Sequence, residues 1–301
     1  MEPNAHDASL TWEQAVEWYR SQPGNESAVA ANYFDHDGVA AAKRFAASPE
    51  FRETLKLVPE RHRARGTKLL EIGAGAGIAS YAFATNGFDV TALEPDPSEI
   101  VGAGAIRNLA VRTATPIHAV QEWGEGLPFA DEAFAVVYVR QVLHHARDLR
   151  QLCAEAARVL RPGGFFIAVR EHVIRDPADL PRFLKSHPLH AMYGGEHAYL
   201  RSEYEAAIRG AGLEITQVLA PFESVINYHP FTAAEVEEQG FRLMLKAVGV
   251  RRGAGLVWRC AGRRLATLSP SFAERCRRSL RDTYTPGNIF SFVAEKPSLP
   301  Y

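Results

Sequence analysis

Short apolar runs alternate with helix-like stretches over the middle of the chain. Strands are predicted at five of these runs, which are "KLLEI" (68–72), "DVTALEP" (89–95), "IHAVQ" (117–121), "FAVVYVR" (134–140) and "FFIAVREHV" (165–173). Helices are predicted between them, over "IASYAFATNG" (78–87), from Asp96-Pro97 onward, and over "RDLRQLCAEAARVL" (147–160). This alternation predicts an α/β fold with a doubly wound, mainly parallel sheet and helices on both faces.

The first 65 residues have a helical pattern instead. Thr11 and Gln14 have the spacing of a capping box, and the apolar residues behind them share one helix face, namely Trp12, Ala15, Val16 and Tyr19. Further helices are predicted over "GVAAAKRFAA" (38–47) and from Ser48-Pro49, an N-cap and N1 pair. This segment has too little material for a separate domain, so we interpret residues 1–65 as a helical cover on the core.

Two more strands are predicted toward the C-terminus, at "LEITQVLAP" (213–221) and "NIFSFVAEKP" (288–297), which makes the sheet seven-stranded. About 65 residues separate them. We interpret residues 221–285 as a helical insertion before the last strand, and residues 286–301 as that strand and a tail. The core then spans 66–220, and all the segments form one structural domain.

The composition of the chain indicates the cellular environment in which the protein works. The chain has 301 residues and a net charge of −1, so no general attraction to nucleic acid is expected. No apolar run approaches the roughly 20 residues of a membrane helix, and "MEPNAHDASL" lacks the basic and apolar regions of a signal peptide. The widely spaced Cys153, Cys260 and Cys276 favour reduced thiols. We therefore expect a cytoplasmic protein.

The charge is unevenly distributed along the chain. Between Phe241 and Arg281, eleven lysines and arginines stand against one acid, Glu274. This basic stretch, which includes Arg277 and Arg278, could bind an anionic acceptor or an anionic membrane surface. A solvated helix face or a subunit contact explains it equally well, so a homodimer is left open.

The stretch "LLEIGAGAG" (69–77) joins the first strand to the first helix of the core. Its spacing is E-x-G-x-G-x-G, whereas a dinucleotide fingerprint needs its third glycine at position 78, which is isoleucine. The lysine of a phosphate-binding loop is also missing. Glu94 ends the second strand, where a carboxylate can accept both hydroxyls of a ribose. The two features together predict a nucleoside ligand.

Four motifs in order, "LLEIGAGAGIAS", "VTALEPD", "GEGLPFADEAFAVVYVRQVLHH" and "EAARVLRPGGFFIAV", resemble the class I S-adenosylmethionine-dependent methyltransferases, and among them the methyltransferase type 11 group. The resemblance covers about a third of the chain, and it implies a Rossmann-like methyltransferase fold with S-adenosyl-L-methionine as the cofactor. It further implies that the cofactor is held by residues at three strand ends, which are Glu71, Gly73, Ala74, Gly75, Gly77, Glu94, Pro95, Arg140 and Gln141.

The chain departs from this family at the adenine position. Many relatives have an aspartate-alanine pair before the "LPF" element, and here Trp123 and Gly124 stand there. Trp123 could stack on adenine while the Gly124 amide reaches a ring nitrogen. A core tryptophan beside the strand is the alternative, and the sequence does not decide between them.

Methyl transfer to a hydroxyl or an ammonium group needs a base that removes a proton. The candidates follow the fourth and fifth strands and are His172, Glu171 and His144. A structural role is favoured for at least one of His144 and His145, and His172 could be a hydrogen-bonded histidine that only ends its strand. Arg140 and Arg170 could bind an anionic acceptor or the methionine carboxylate, with surface salt bridges as the alternative.

The segment "HPLHAMYGGEHAY" (187–199) is unusually dense in groups that titrate or coordinate metals. We interpret residues 174–200 as a lid on the acceptor side, and the substrate-binding candidates are Arg170, His190, Tyr193, Glu196 and His197. Glu171, His172, His190, Glu196 and His197 would offer metal ligands, but their spacing matches no metal motif, so no metal is predicted.

We therefore expect methyl transfer to a small-molecule or glycan-precursor acceptor, with oxygen favoured over nitrogen. A loose similarity to methyltransferases of bacterial surface-glycan and secondary metabolism ranks the acceptors in this way. One alternative is a nicotinamide-dependent Rossmann oxidoreductase, which would share Glu94 but not the glycine spacing, and which would need a Tyr-x-x-x-Lys pair not evident here. The other alternative is a non-catalytic methyltransferase-like binding protein.

Overall fold

The computed structural model describes residues 10–187, 189–249, 254–281, 283 and 285–298. Three parts of the sequence-based predictions lie outside these ranges. They are the first nine residues, which carry most of the segment tested for a signal peptide, the basic residues Arg251 and Arg252, and the end of the C-terminal tail.

The described residues form one mixed sheet. Its strands are β1 (Lys68–Ile72), β2 (Asp89–Leu93), β3 (Ile117–Val120), β4 (Phe134–Arg140), β5 (Leu160–Ile174), β6 (Tyr199–Leu200), β7 (Glu214–Leu219) and β8 (Asn288–Glu295). Their order is β3-β2-β1-β4-β5-β8-β7, and the short β6 pairs with β5. All neighbours are parallel except β8, which runs antiparallel to β5 and β7. The predicted doubly wound, mainly parallel sheet is confirmed, and the two-residue β6 is an addition to its seven predicted strands.

The helices lie where the sequence alternates with these strands. In chain order they are α1 (Trp12–Ser21), α2 (Glu26–Ala31), α3 (Gly38–Ala46), α4 (Pro49–Leu57), α5 (Ile78–Thr85), α6 (Ala103–Thr113), α7 (Leu149–Val159), α8 (Leu180–Ser186), α9 (His190–Tyr193), α10 (Arg201–Gly210), α11 (Val225–Tyr228), α12 (Ala233–Ala247), α13 (Ala254–Val257), α14 (Arg263–Leu268) and α15 (Pro270–Arg281). Among the residues described, no helix is both long and apolar enough to cross a membrane.

Each face of the sheet has its own apolar core. Because side chains alternate along a strand, β4 places Val137 and Val139 in one core and Val136 and Tyr138 in the other. The first core includes residues of α7 and α10, and the second includes residues of α3, α4 and α5. Burial on both faces explains why the strands are continuous apolar runs.

The N-terminal helices cover two different surfaces. Helices α3 and α4 contribute Phe45 and Phe51 to the core on the sheet. Helix α1 begins at the predicted capping box, in which Thr11 and Gln14 bond each other's backbone amides. Its apolar face packs on Leu189 and the start of α9 rather than on the sheet. The cover therefore contacts the segment interpreted as a lid.

The helix predicted from Asp96-Pro97 begins later, at Ala103, so that prediction was wrong. Asp96 Oδ1 accepts the amide of Ser98 at 2.8 Å, and the Ser98 hydroxyl accepts the amides of Ile100 and Val101 at 3.0 and 3.1 Å. These turns satisfy the amide groups that a helix would have used, because aspartate and serine side chains compete with helical hydrogen bonds.

Helices α11 to α15 fill the segment between β7 and β8. Several of its arginines pair with carboxylates of neighbouring turns. Arg277 pairs with Glu237 and Glu274, and Arg281 lies 2.9 Å from Glu274. Arg242 bonds Glu238. Because Glu237 and Glu238 lie just before residue 241, the basic stretch is less positive in three dimensions than its sequence count indicates.

Candidate functional site

The glycine loop lies between β1 and α5, at the carboxyl edge of the sheet. Gly73, Gly75 and Gly77 have φ values of +68°, +53° and +79°, a region that disfavours other residues. A Cβ at Gly73 would stand 2.5 Å from Val142 Cγ2, whereas the nearest atom to a Cβ at Gly75 would be Val101 O at 3.9 Å. Gly73 therefore allows tight packing, and Gly75 leaves an open backbone surface.

Glu94 lies directly beside this loop, at the end of β2. The Gly75 amide donates to Glu94 Oε2 at 2.7 Å, and the Asp96 amide donates to Oε1 at 3.0 Å. The side chain is buried, and burial raises its pKa to about 7. Two backbone amides thus fix a carboxylate that keeps free lone pairs for hydroxyl donors.

Glu71 is the last residue but one of β1 and lies two positions before Gly73. Its Oε2 accepts the Ser80 hydroxyl, which links β1 to α5, and burial raises its pKa to about 8. Glu71 therefore braces the base of the glycine loop, and its contact with a cofactor stays a prediction. The Ala74 methyl group is also buried, against Ala92 and Ile106, so only the Ala74 backbone can face a ligand.

A buried charge cluster lies at the ends of β4 and β5. Arg140 Nε donates to Glu50 Oε1 at 2.8 Å, and Arg170 Nη1 donates to the carbonyls of Ile226 and His229 at 2.7 and 3.1 Å. Arg170 Nε lies 3.8 Å from Glu50. The proposed alternative of surface salt bridges was wrong for both arginines, because their side chains are 10% and 8% exposed.

Backbone strain coincides with this cluster. Gln141 follows β4 with φ +58°, and Arg170 lies within β5 with φ +64°. Gln141 N donates to Val169 O at 3.0 Å, and Gln141 Oε1 accepts from Arg140 at 2.8 Å. Left-handed backbone at non-glycine residues costs free energy and is concentrated at functional sites. The strain therefore supports the prediction that these strand ends face a ligand.

Histidines and two carboxylates form a second cluster on the same edge of the sheet. Glu171 accepts the amides of Val142, Leu143 and His144 at 3.1 to 3.2 Å, and His144 Nδ1 lies 2.7 Å from Glu171 Oε2. Glu171 is 0% exposed. Its burial and its backbone donors argue against the predicted role as a catalytic base, and that role stays an untested prediction.

The other carboxylate, Glu196, comes from the segment after α9. Its Oε2 lies 3.7 Å from His144 Nε2 and 3.8 Å from His145 Nε2, and its Oε1 lies 3.6 Å from His187 Nδ1. The side chains of Glu196 and His144 are 3% and 2% exposed. Burial raises the pKa of Glu196 to about 7 and lowers the pKa of His144 well below its ordinary value. His144 therefore does not face an acceptor directly.

His172 lies at the edge of this cluster. Its ring is 4.8 Å from that of His144 and 5.0 Å from that of Phe183, and its Nδ1 lies 3.0 Å from Gly287 O. Since a carbonyl can only accept, Nδ1 carries the proton and Nε2 has a free lone pair. Burial lowers the pKa of His172 well below its ordinary value, so the ring is neutral at pH 7.

Comparison with known proteins agrees with this geometry. The methyltransferase domain family matches residues 70–168. An uncharacterized methyltransferase of Mycobacterium avium is 38% identical over 104 residues, 35% of this chain and 39% of that protein. A ubiquinone biosynthesis O-methyltransferase of Rhizobium johnstonii is 29% identical over 155 residues, 50% of this chain and 61% of that protein.

The solved structure of the YcgJ protein from Bacillus subtilis covers 82% of this chain and 98% of its own, with a TM-score of 0.51 and 19% sequence identity. Residues 70–168 of this chain match the methyltransferase domain family. The predicted resemblance is confirmed for residues 70–168. The chain spans less than two thirds of the length of the curated relatives that it matches, and the likeness to YcgJ shows the fold alone.

In the methyltransferase domain, Trp123 and Gly124 at the predicted adenine position have different surroundings. Trp123 is 48% exposed, so the alternative of a core tryptophan was wrong. The Arg147 guanidinium lies 3.9 Å from the centre of its ring and covers one face. A Cβ at Gly124 would stand 2.9 Å from Ile72 Cγ2, which ties this turn to the end of β1. Adenine contact by Trp123, Gly124 and Pro95 stays a prediction.

Four of the predicted acceptor residues lie in or just after α9, namely His190, Tyr193, Glu196 and His197. Tyr193 packs on Trp12 of α1 with ring centres 5.0 Å apart, and His197 packs on Tyr199 at 4.3 Å. The Nδ1 atoms of His190 and His197 are buried, and neither has a hydrogen-bond partner in the described part of the chain. Arg170 is held by backbone carbonyls, so its predicted contact with the acceptor is indirect.

Sequence reasoning missed Glu50 as a member of these clusters, and it named His145 without predicting that it lies near Glu196. Glu50 has the position of an ordinary acid in the first turn of α4, next to the predicted N-cap Ser48. Its burial depends on Arg140, which is 90 residues away in the chain, and no local signal shows this. His145 was visible as a neighbour of His144, but its convergence with Glu196 depends on the fold of the segment around α9.

Proposed function

We propose that this chain is an enzyme that transfers a methyl group from S-adenosyl-L-methionine to an oxygen atom of a small-molecule or glycan-precursor acceptor. The observation that supports the proposal most is the pairing of Glu94 with the Gly75 amide at the open part of the glycine loop. This pairing supports the proposal because a carboxylate able to accept the hydroxyls of a ribose lies beside an open backbone surface at the carboxyl edge of the sheet.

The residues present fit the cofactor. Glu94 would accept the ribose hydroxyls, and the open face of Gly75 gives room for the adenosyl and methionine parts. Arg140 Nη2 is buried, and no described residue accepts a hydrogen bond from it, so it is a donor for the methionine carboxylate. When bound, the cofactor supplies an activated methyl group. The protein's own residues then need only orient the acceptor and exclude water.

His172 is the proposed general base for the acceptor hydroxyl. Its Nδ1 is held by Gly287 O, which fixes the ring and leaves the Nε2 lone pair free to accept a proton. Burial lowers the pKa of His172, which keeps the ring neutral and able to accept a proton but also makes it a weaker base, so the proposal depends on the geometry of Nε2. The name of the Rhizobium relative, an O-methyltransferase, supports oxygen as the methylated atom.

The structure of the glycine loop favours binding of an adenosyl group over binding of a nicotinamide dinucleotide. The third glycine of the loop is Gly77, and the next residue, Ile78, already begins α5. A Cβ at Gly77 would meet Ile106 Cγ1 at 3.2 Å, so this glycine allows the helix to pack on α6. The loop therefore lacks the third glycine of a dinucleotide fingerprint, which lets a pyrophosphate bind at the N-terminus of the helix.

The test is methyl transfer from S-adenosylmethionine with a labelled methyl group to a panel of phenols, sugar hydroxyls and amines. We expect label on a hydroxyl acceptor with the wild type. We expect a loss of about 100-fold or more in rate with His172→Asn, whose amide can still donate to Gly287 O. His118→Asn is the matched control, because His118 is exposed on β3, and this variant should keep full activity.

Two results would contradict parts of the proposal. Full activity of His172→Asn would remove His172 as the base, and label on amines only would exclude O-methylation. If no panel member accepts label and the protein binds no S-adenosylhomocysteine, the enzymatic proposal itself is wrong. Binding of S-adenosylhomocysteine without any transfer would favour the non-catalytic alternative.

A further inference from the structure

Three donor atoms from two distant segments converge at the carboxyl end of β4. His144 and His145 lie directly after the strand, and Glu196 comes from the segment between α9 and β6. One ligand atom of each residue lies within 4.8 Å of the others. Glu196 Oε2 is buried, and the distances of 3.7 and 3.8 Å to the two Nε2 atoms are too long for hydrogen bonds.

The hydrogen bonds of the two histidines fix where their protons are. His145 Nδ1 lies 3.0 Å from Gly195 O, which can only accept, so Nδ1 carries the proton. Glu171 already accepts three backbone amides, so it acts as an acceptor for His144 Nδ1 as well. In each neutral ring the Nε2 atom then has a lone pair directed at neighbours that also offer lone pairs.

Such an arrangement is unfavourable unless a cation lies between the donors. Burying an ionised carboxylate oxygen among the lone pairs of ring nitrogens costs free energy, and either a proton on the carboxyl group or a metal ion between the donors removes that cost. The bond from His144 Nδ1 to a carboxylate is also the usual support for a metal-binding histidine, since it orients the ring and strengthens Nε2 as a ligand.

The spacing of the donors suits a small divalent ion. Ligands at about 2.0–2.1 Å from a tetrahedral zinc ion lie about 3.3 Å apart. The separations of 3.7 and 3.8 Å between Glu196 and the histidines are only a few tenths of an ångström larger. Two imidazole nitrogens and one carboxylate are a donor set that zinc and neighbouring first-row ions prefer to magnesium or calcium.

We propose that His144 Nε2, His145 Nε2 and Glu196 bind a divalent first-row transition metal ion, with zinc as the reference ion. Glu171 orients His144 through the contact with its Nδ1, and His187 Nδ1 lies 3.6 Å from the other oxygen of Glu196, Oε1. Three protein ligands leave a coordination position for water or another small ligand. The His145 side chain is 30% exposed, which gives the ion a path from solvent.

The test is metal binding by the full chain, measured without any activity assay. The purified protein is stripped with a chelator and titrated with Zn²⁺ against a chromophoric competitor, and with Co²⁺ by visible absorption. We expect one ion per chain and a Co²⁺ spectrum typical of four- or five-coordinate nitrogen and oxygen ligands. Zn²⁺ should also raise the melting temperature, because it binds the folded state.

Two variants and a control assign the site. Glu196→Gln and His145→Gln should each weaken Zn²⁺ binding by more than about tenfold. Loss of a residue that only supports a ligand already costs about that much, and these two residues are proposed as ligands themselves. His118 is exposed on β3, and His118→Gln should bind Zn²⁺ as the wild type does. Circular dichroism verifies that each variant is folded, and the exposed His145 position keeps the test valid if Glu196→Gln does not fold.

Three results would overturn the proposal. The first is a Zn²⁺ affinity of the wild type that is no higher than that of Glu196→Gln. The second is that folded His145→Gln and Glu196→Gln both bind Zn²⁺ with the affinity of the wild type. The third is that His118→Gln loses as much Zn²⁺ affinity as those two variants do. Since none of these readouts involves S-adenosylmethionine, failure here leaves the proposed methyl transfer intact, and failure of methyl transfer leaves the metal site intact.

Discussion

At the scale of single residues, the proposed cofactor site depends on the hydrogen bond between the Gly75 amide and Glu94 Oε2. Gly75 has a left-handed backbone and an open surface, while the neighbouring Gly73 and Gly77 are packed against Val142 and Ile106. The three positions of one motif therefore require glycine for different reasons. Two allow close packing, and one leaves room for a ligand.

This difference predicts a result for Gly75→Ala and a matched control. Gly66 also has a positive φ, of +81°, and open space around a Cβ, but it lies before β1 and away from Glu94. Both Gly75→Ala and Gly66→Ala should cost about 1–2 kcal/mol of stability because of the left-handed backbone. Only Gly75→Ala should weaken S-adenosylhomocysteine binding in calorimetry. Equal affinity of the two variants would contradict the assignment of Gly75.

At the scale of elements, helix α1 and the segment around α9 form one unit. Leu10 N donates to Met192 O at 2.9 Å, and Trp12 packs on Tyr193 with ring centres 5.0 Å apart. Ala15 and Tyr19 of α1 share an apolar cluster with Leu189. Because this small cluster is separate from the two sheet cores, α1 can loosen without unfolding the sheet.

Two tryptophans on α1 allow a test of this unit. Trp12→Ala should increase amide hydrogen exchange of residues 189–200, because it removes the ring that packs on Tyr193. Exchange in β1 and β2 should stay the same. Trp18 lies on the same helix but is 46% exposed, so Trp18→Ala should leave the exchange of 189–200 unchanged. Similar effects of both variants would contradict the packing role of Trp12.

The elements also show how far the sequence predicts this structure. Strands β1 and β4 have the predicted bounds, because their buried apolar runs are a local signal. The start of α6 was misplaced, since the hydrogen bonds of Asp96 and Ser98 outweighed a pattern typical of a helix start. The convergence of His145 with Glu196 was not predictable, because it joins positions about 50 residues apart through contacts of the lid.

At the scale of the whole molecule, buried titratable groups make stability depend on pH. Burial raises the pKa of Glu94 to about 7 and that of Glu71 to about 8. Burial acts in the opposite direction on histidines and lowers the pKa of His187 to about 4. The total pH profile is therefore a sum of opposing slopes, and a single group is seen only by comparing matched variants.

Glu94→Gln isolates one of these contributions. The folded state binds the Glu94 proton more tightly than the unfolded state, so its stabilising contribution is present below pH 4.5 and is lost as the pH rises through about 7. The free energy of unfolding of the wild type, minus that of Glu94→Gln, should thus fall between pH 5 and pH 8. Urea unfolding at both values measures it. A difference that stays constant or grows would contradict the burial of Glu94.

The central claim is that the glycine loop and Glu94 hold an adenosyl group. Calorimetric titration with S-adenosylhomocysteine, and separately with NAD, tests it most directly in the wild type and in Glu94→Gln. We predict that S-adenosylhomocysteine binds the wild type and that NAD does not. Glu94→Gln should lose about 1–3 kcal/mol of binding free energy, or about 10- to 100-fold in affinity. Binding of NAD alone, or an unchanged affinity of Glu94→Gln, would contradict the claim.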